Sequence, residues 1–162
     1  MPSVCSAAPS IPAMVDYLWL KALHVIGAVL LVGNVTVTGV WSYYLYRHWR
    51  AGTVPFRPVA RAILWTDLCF TAGGGAILTV TGILMILRMD YPVLDTPWLL
   101  KGIVALSLST LSWLAVLLPD QVRLERSDDP AVIRRLFRRW SVVGWASTAL
   151  LFYALWVMVT KR

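Results

Sequence analysis

Four long apolar stretches occupy most of this 162-residue chain and restrict the folds that are open to it. A helix needs about 20 consecutive apolar residues to cross roughly 30 Å of hydrocarbon, and each stretch reaches that length. Backbone polar groups cannot stay unpaired in lipid, and the stretches lack the alternation typical of barrel strands. The sequence therefore predicts an all-α, polytopic membrane protein, a four-transmembrane-helix bundle with helices at about 17–46, 61–87, 98–118 and 140–160.

The rest of the chain is expected to be short connections and one tail. Residues 1–16 are predicted to form an extracytoplasmic tail, and residues 17–162 a single membrane domain. The charged connection after the third stretch contains Asp128-Asp129-Pro130, a pattern that favours the start of a helix. We expect a short amphipathic segment at about 129–139 to lie on the cytoplasmic membrane surface.

The basic residues indicate how the bundle is oriented. The net charge is +7, but the arginines gather in the connections and not on a soluble face, so the charge does not predict nucleic-acid binding. Basic connections face the cytoplasm. Both termini are therefore expected to be extracytoplasmic in a multi-pass protein of the bacterial cytoplasmic membrane, in contact with membrane lipid. The arginines that set this orientation are Arg47, Arg50, Arg57 and Arg61 in the first connection, and Arg123, Arg126, Arg134, Arg135, Arg138 and Arg139 in the third.

Two ionisable residues in the first apolar stretch need a reason to be there, because such groups are costly inside lipid. His24 lies about two turns from the outer end, and Lys21 precedes it by one turn. Polar residues recur on the same helical face at Thr38 and Ser42, so this face is expected to line the bundle interior. Because a neutral imidazole is a common metal ligand, His24 is the predicted metal-binding residue.

The predicted topology brings further polar or sulfur-containing residues to the depth of His24. Lys101 in the third stretch and Met85 in the second join Lys21 in this layer. A lysine can pair with a haem propionate or transfer a proton, and a methionine can be an axial ligand. The layer predicts a b-type haem, with His24, Lys101 and Met85 binding it and Lys101 and Lys21 acting in catalysis. Snorkelling of the lysines, an interhelical hydrogen bond of His24 and simple packing of Met85 are the structural alternatives.

The second apolar stretch contains an acidic residue and a run of glycines. Asp67 is expected to form a structural ion pair with Arg61 or with the Arg138-Arg139 pair, and a proton or substrate pathway is the alternative. The run Gly73-Gly74-Gly75 disfavours a helix unless tertiary contacts compensate. It predicts either a closely packed neighbouring helix or room for a flat ligand, and the sequence leaves both open.

The residues around His24 resemble those of known membrane-protein families. The segment Leu18-Trp19-Leu20-Lys21-Ala22-Leu23-His24-Val25-Ile26-Gly27-Ala28 is similar to the opening helix of the HemJ-type protoporphyrinogen oxidases and of the CopD-like copper-resistance membrane proteins. It also resembles a related group of bacterial integral membrane proteins of unknown function. Phe56-Arg57-Pro58 and Trp98-Leu99-Leu100-Lys101 extend the similarity. The resemblance implies haem b at His24 and a required lysine at Lys101.

Three functional classes follow. The first is a haem-dependent oxidoreductase resembling protoporphyrinogen oxidase, for quinone-linked electron transfer or porphyrinogen oxidation, with a quinone or a porphyrin as partner. The second is a cofactor-free accessory or assembly subunit of a larger membrane complex, or a homo-oligomer, whose glycine and tryptophan surfaces serve packing. The third is CopD-like copper handling, because thioether and imidazole groups suit copper(I). Its candidate ligands beside His24 are Met14, Met85, Met89 and Met158.

Overall fold

The computed structural model of the protein describes residues 11–90 and 92–162, with side chains from residue 16 onward. These residues form four long helices and, within the described ranges, no strand. Each helix contains a window that is long and apolar enough to cross a membrane, which confirms the predicted all-α bundle of four spans. The helices are α1 (Ile11–Arg50), α2 (Phe56–Met89), α3 (Pro97–Arg126) and α4 (Pro130–Thr160).

The helices are longer than hydropathy indicates. Residues 119–126, expected in a connection, continue α3, and residues 130–139 are the first turns of α4 instead of a separate surface segment. Asp129 caps α4 by accepting from Ala131 N at 2.8 Å, and Pro130 occupies the first helical position. The predicted tail differs as well, because α1 begins at Ile11, while residues 1–10 lie outside the described residues.

All four helices meet at one end of the bundle, which we call the arginine-rich end. It comprises the last turns of α1 and α3 and the first turns of α2 and α4, where the basic connections lie. The rings of Tyr46 and Phe137 stack here with centroids 4.2 Å apart. A buried apolar core joins the four helices at this end: Leu45, Phe56, Ala60, Leu117, Leu124, Ile133, Phe137 and Trp140.

The opposite half of the bundle consists of two separate helix pairs. In the first pair, α1 and α2 cross closely, because a Cβ on Gly27 would come within 2.7 Å of the backbone of Leu78 and one on Gly74 within 2.9 Å of the backbone of Leu31. In the second pair, the side chain of Met158 in α4 packs over Gly102 in α3. No Cα atom of the α3 segment Pro97–Ser112 lies within 8 Å of α1 or of the α2 segment Gly73–Met89.

Candidate functional site

His24 lies in the interface between α1 and α2. Its Nδ1 is 3.1 Å from Thr81 Oγ1, and its Cε1 lies against Gly82, where a Cβ would come within 3.1 Å. The Thr81 hydroxyl donates to Ile77 O at 2.6 Å, so it accepts from His24 Nδ1. The edge of the ring formed by Nδ1 and Cε1 therefore faces α2.

The other residues predicted for the haem site are divided between the two helix pairs. Met85 is half-buried on α2, one turn beyond Thr81. Lys21 is exposed on α1, and Lys101 is exposed on α3 beside Gly102. Because the helix segment that contains Lys101 does not approach α1 or the outer half of α2, the structure does not bring the backbone of Lys101 next to that of His24. Within the described ranges, no three His, Cys, Asp or Glu residues are grouped so that they could hold a metal ion.

A large cavity, which we call the central cavity, lies between the two helix pairs. Its volume is about 400 Å³, and all four helices contribute to its wall. Its lining is mainly apolar and aromatic, with serine, threonine and glycine between the larger side chains. Val80 and Trp145 line it and are 56% and 53% exposed, so the cavity opens on the side of the bundle. The residues used below are Thr71, Gly75, Trp113, Trp140, Trp145 and Ser147, together with Asp67 at the arginine-rich end of the cavity.

Asp67 is buried in this wall and is held by neutral donors. Three groups donate to Asp67 Oδ1: Asn34 Nδ2 at 2.7 Å, Thr38 Oγ1 at 3.2 Å and Thr71 Oγ1 at 3.5 Å. Gln121 Nε2 donates to Asp67 Oδ2. A carboxylate accepts about four hydrogen bonds, so these donors satisfy it. The predicted ion pair of Asp67 with an arginine is therefore wrong.

Two of the three arginines predicted as partners of Asp67 pair with other carboxylates near the end of α3. Arg61 Nη2 lies 2.8 Å from Glu125 Oε1, and Arg139 Nε donates to Asp120 Oδ2 at 2.7 Å. Glu125 lies about one turn beyond Gln121, which contacts Asp67, toward the arginine-rich end. The carboxylate of Asp67 therefore accepts its hydrogen bonds from nearby amide and hydroxyl groups.

Irregular helix geometry borders the central cavity on both sides. α2 widens to a π-helix at Asp67–Ala72, and α3 does so at Trp113–Leu117. Both segments contribute residues to the cavity wall, among them Asp67 and Trp113. π-Helical turns are uncommon and are found frequently at functional sites. Their position on opposite walls of one cavity indicates that the cavity is a built feature of the fold.

The glycine run of α2 serves both purposes that the sequence left open. Gly74 forms the close crossing with α1, where any side chain would meet backbone atoms. Gly75 lines the central cavity and has open space where a Cβ would be. Gly73 also has open space but does not line this cavity. One glycine therefore permits close helix packing, and its neighbour leaves open space in the cavity wall.

Three donors in the wall of the central cavity have no partner among the described residues. They are Trp113 Nε1, Trp140 Nε1 and Ser147 Oγ, all buried. Trp140 also lines a second cavity of about 30 Å³ beside Gln121, whose Oε1 is unpaired as well. Trp113 and Ser147 line the larger of these two cavities only. A buried donor without an acceptor costs about 1–3 kcal/mol, and these three atoms have no accessible surface toward the cavity.

The fold and this cavity define a class, the polytopic helical membrane proteins with an intramembrane cavity. The family model described as "Predicted integral membrane protein (DUF2269)" matches residues 18–162, so the chain belongs to this family. No curated protein and no solved structure matches the chain.

Sequence reasoning missed most of the cavity wall but had one usable signal. Two pairs of polar residues have a spacing of four and therefore share a helix face. They are Asn34 and Thr38 in α1, and Asp67 and Thr71 in α2. Two such polar pairs at similar depth in neighbouring spans indicate a shared hydrogen-bond network. Nothing in the sequence pattern marks the two π-helical turns or the gap between the helix pairs.

Proposed function

We propose that this protein binds a lipid-soluble small molecule in the central cavity. The observation that supports this most strongly is a cavity of about 400 Å³ between the helix pairs, with an apolar and aromatic wall that also contains serine, threonine and glycine. Small-molecule sites are typically cavities of 300–1,000 Å³ with apolar walls and a few fixed polar groups. The central cavity has that size and that composition.

The ligand is expected to enter from the bilayer. The exposed lining residues Val80 and Trp145 belong to membrane-spanning helices, so the open side of the cavity faces hydrocarbon when the helices span the membrane. A molecule dissolved in the acyl-chain region reaches the cavity without crossing water. This route selects for solutes that partition into lipid.

The test compares two glycines of the same run. The protein is placed in lipid nanodiscs, and binding of the neutral lipophilic dye Nile red is followed by energy transfer from tryptophan. Gly75→Leu fills the cavity wall and is expected to weaken binding at least tenfold. Gly73→Leu adds the same side chain where it does not line the cavity and should bind like the wild type.

Equal binding by both glycine variants and the wild type would overturn the proposal. A thermal unfolding scan shows that both variants are folded before binding is compared. Sedimentation of both variants separates ligand binding from the rival occupant, a second copy of the chain, because only an occupant of that kind changes the oligomeric state when Gly75 is replaced.

A b-type haem at His24 is the second candidate. It is supported by the hydrogen bond that fixes Nδ1 on Thr81, because metal-bound histidines commonly use the other nitrogen for a bond of this kind. His24 would hold the iron, and Met85, one turn beyond Thr81, fits a second ligand better than Lys101 does. When bound, the haem would supply one-electron chemistry. His24 lines neither of the two cavities described above.

A difference spectrum tests the haem candidate. Protein produced with added haem precursor is purified in mild detergent, and the reduced-minus-oxidised spectrum is recorded. Soret and alpha bands that disappear in His24→Ala and persist in Lys101→Met would support haem with a second ligand other than Lys101. Protein without these bands removes the candidate and leaves the central cavity as the site. Copper has less support, because Met158 is used in packing over Gly102.

The orientation in the membrane is a further part of the proposal. We place the arginine-rich end in the cytoplasm and both termini outside, because the basic turns of all four helices gather at that one end. Fusing alkaline phosphatase, which is active only outside the cytoplasm, to the C-terminus is expected to give active enzyme. Activity only in fusions at Gly52 would reverse the orientation.

A further inference from the structure

We propose that the ligand of the central cavity is a lipophilic quaternary cation, that is, an ammonium or phosphonium ion whose charge is surrounded by apolar groups. The carboxylate of Asp67 supplies the opposite charge, and the tryptophans of the cavity wall supply aromatic surface. This inference rests on the proposed function, since it names the class of molecule that the cavity binds. It involves no reaction, only recognition of a charge in an apolar site.

Asp67 brings a negative charge to the cavity without a positive partner. It is buried in the cavity wall at the arginine-rich end. Among residues 16–90 and 92–162, none of the ion pairs includes Asp67. Neutral donors satisfy its oxygens but do not cancel its charge. A charge without a counter-ion is costly inside a membrane, so a cation in the adjoining cavity would stabilise this arrangement.

The hydrogen bonds of Asp67 indicate which kind of cation fits. Its oxygens already accept from four side chains: Asn34, Thr38, Thr71 and Gln121. A primary ammonium ion has three N–H donors, which would need further acceptors in an apolar cavity. A quaternary cation has no N–H, and its attraction to a carboxylate acts through space without a free lone pair. The arrangement therefore favours a quaternary cation over a primary amine.

Aromatic surface lies at the level of this carboxylate. The ring of Trp145 lies over Gly39 in α1, with its Cζ2 atom 3.3 Å from where a Cβ would be. Gly39 directly follows Thr38, which donates to the carboxylate, and all three residues line the cavity. Trp113 and Trp140 line it as well, and their N–H groups have no accessible surface there. Aromatic faces are typical of sites that bind quaternary ammonium groups.

A neutral ligand is the main rival, because most of the wall is apolar. A neutral molecule would gain the same apolar contacts but would leave the charge of Asp67 without a counter-ion. A proton on Asp67 is the other way to remove this charge, and the cavity would then have no use for a cation. Both rivals predict equal binding of a cation and of a neutral molecule with the same shape.

The experiment compares three matched probes in nanodiscs of zwitterionic lipid. The quaternary probe is para-hexylbenzyl-trimethylammonium, and its neutral isostere is para-hexylneopentylbenzene, in which carbon replaces the charged nitrogen. The third probe is the primary amine para-hexylbenzylammonium. Each is mixed with the lipid at a known mole fraction before assembly, so that unequal partitioning from water does not matter. The quaternary probe is expected to displace Nile red at about tenfold lower mole fraction than the isostere and about threefold lower than the primary amine.

A variant of Asp67 tests the source of the preference. Asp67→Asn keeps the size of the side chain but removes the charge, so the preference for the quaternary probe over its isostere should fall from about tenfold to about one. Both probes are measured on the same variant, so a loss of stability affects them alike. Glu125→Gln is the control, because Glu125 is a buried carboxylate that pairs with Arg61 and lines neither cavity. It should keep the tenfold preference.

Two tryptophan variants test the aromatic contact. Trp145→Leu keeps an apolar side chain but removes the indole ring, and it should lower the preference to about threefold. Trp156→Leu is the matched control, because Trp156 is exposed on the same helix and does not line the cavity. Equal preferences in the two variants would contradict the aromatic contact.

The other outcomes separate this inference from the proposed function. If the quaternary probe and its isostere bind equally well and Gly75→Leu weakens both, the proposed function stands and the inference of a cation is wrong. A tenfold preference that survives in Asp67→Asn would overturn it as well, and tightest binding of the primary amine would show that the ligand class is wrong. If no probe displaces Nile red and Gly75→Leu binds the dye like the wild type, the proposed function itself fails.

Discussion

The arginine-rich end and the opposite half of the bundle hold their helices together by different means. At the arginine-rich end, buried side chains from all four helices fill one core, and buried carboxylates join α2, α3 and α4. In the opposite half, close contacts form within each helix pair, and the central cavity separates the pairs. The shared core stabilises the assembly from one end, so the helix pairs can stand apart in the other half and leave a cavity between them.

Removing an aromatic ring from the arginine-rich core is expected to have the largest effect on stability. Phe137 is 8% exposed and stacks on Tyr46, so Phe137→Ala should lower the free energy of unfolding by about 3–5 kcal/mol. Phe152→Ala is the control, because Phe152 is 48% exposed on the same helix and should change stability by less than about 1 kcal/mol. Reversible unfolding in mixed micelles measures both. Equal losses would contradict the division into a stabilising end and a binding half.

The second largest loss of stability is expected at Asp67, which lies where the arginine-rich end meets the central cavity. Asp67→Asn replaces one acceptor oxygen with an NH₂ group that faces the existing donors, so we expect a loss of about 2 kcal/mol. The matched control is Asp90→Asn, at the exposed end of α2, where the left-handed backbone tolerates asparagine. If Asp67→Asn is as stable as the wild type, the four hydrogen bonds contribute little and the junction is not a fixed point of the fold.

Two ion pairs at opposite ends of the bundle give the smallest effects. The side chain of Glu125 is only 9% exposed. Glu125→Gln breaks its pair with Arg61 and is expected to lower the free energy of unfolding by about 1–2 kcal/mol. Asp16→Asn breaks the pair with Arg88, in which both side chains are more than half exposed, and should cost less than about 0.5 kcal/mol. Unfolding at low and high salt distinguishes them, because salt screens the fully exposed pair more strongly than the pair with the buried Glu125 carboxylate. A larger loss for Asp16→Asn would reverse the assignment.

The number and kind of the spans could be predicted from the sequence, while their length could not. Apolar runs of about 20 residues identify a spanning helix, and four such runs are present. Hydropathy did not predict the helical residues within 119–139, because the polar residues there are typical of a solvated connection. These residues are Asp120, Gln121, Glu125 and Arg139. In the structure, these polar groups are paired between helices, so the helices continue through them.

The candidate site could be predicted only in part, for a related reason. Thr38 and Ser42 share the predicted interior face and are indeed buried, and a buried role for Asp67 followed from its place in a span. Its partners could not be foreseen by matching charges, because amide and hydroxyl groups of its own layer satisfy it. The central cavity depends on which helices fail to touch, and a single sequence has no pattern for that.

The open side of the central cavity has a consequence for how occupancy responds to conditions. Since Val80 and Trp145 lie at the opening within spanning helices, the reservoir of the lipid-soluble ligand that we propose would be the acyl-chain region, not the aqueous phase. Saturation then follows the mole fraction of the solute in the bilayer. Expanding the lipid phase at a constant amount of solute would empty the protein even though nothing in the surrounding water changes.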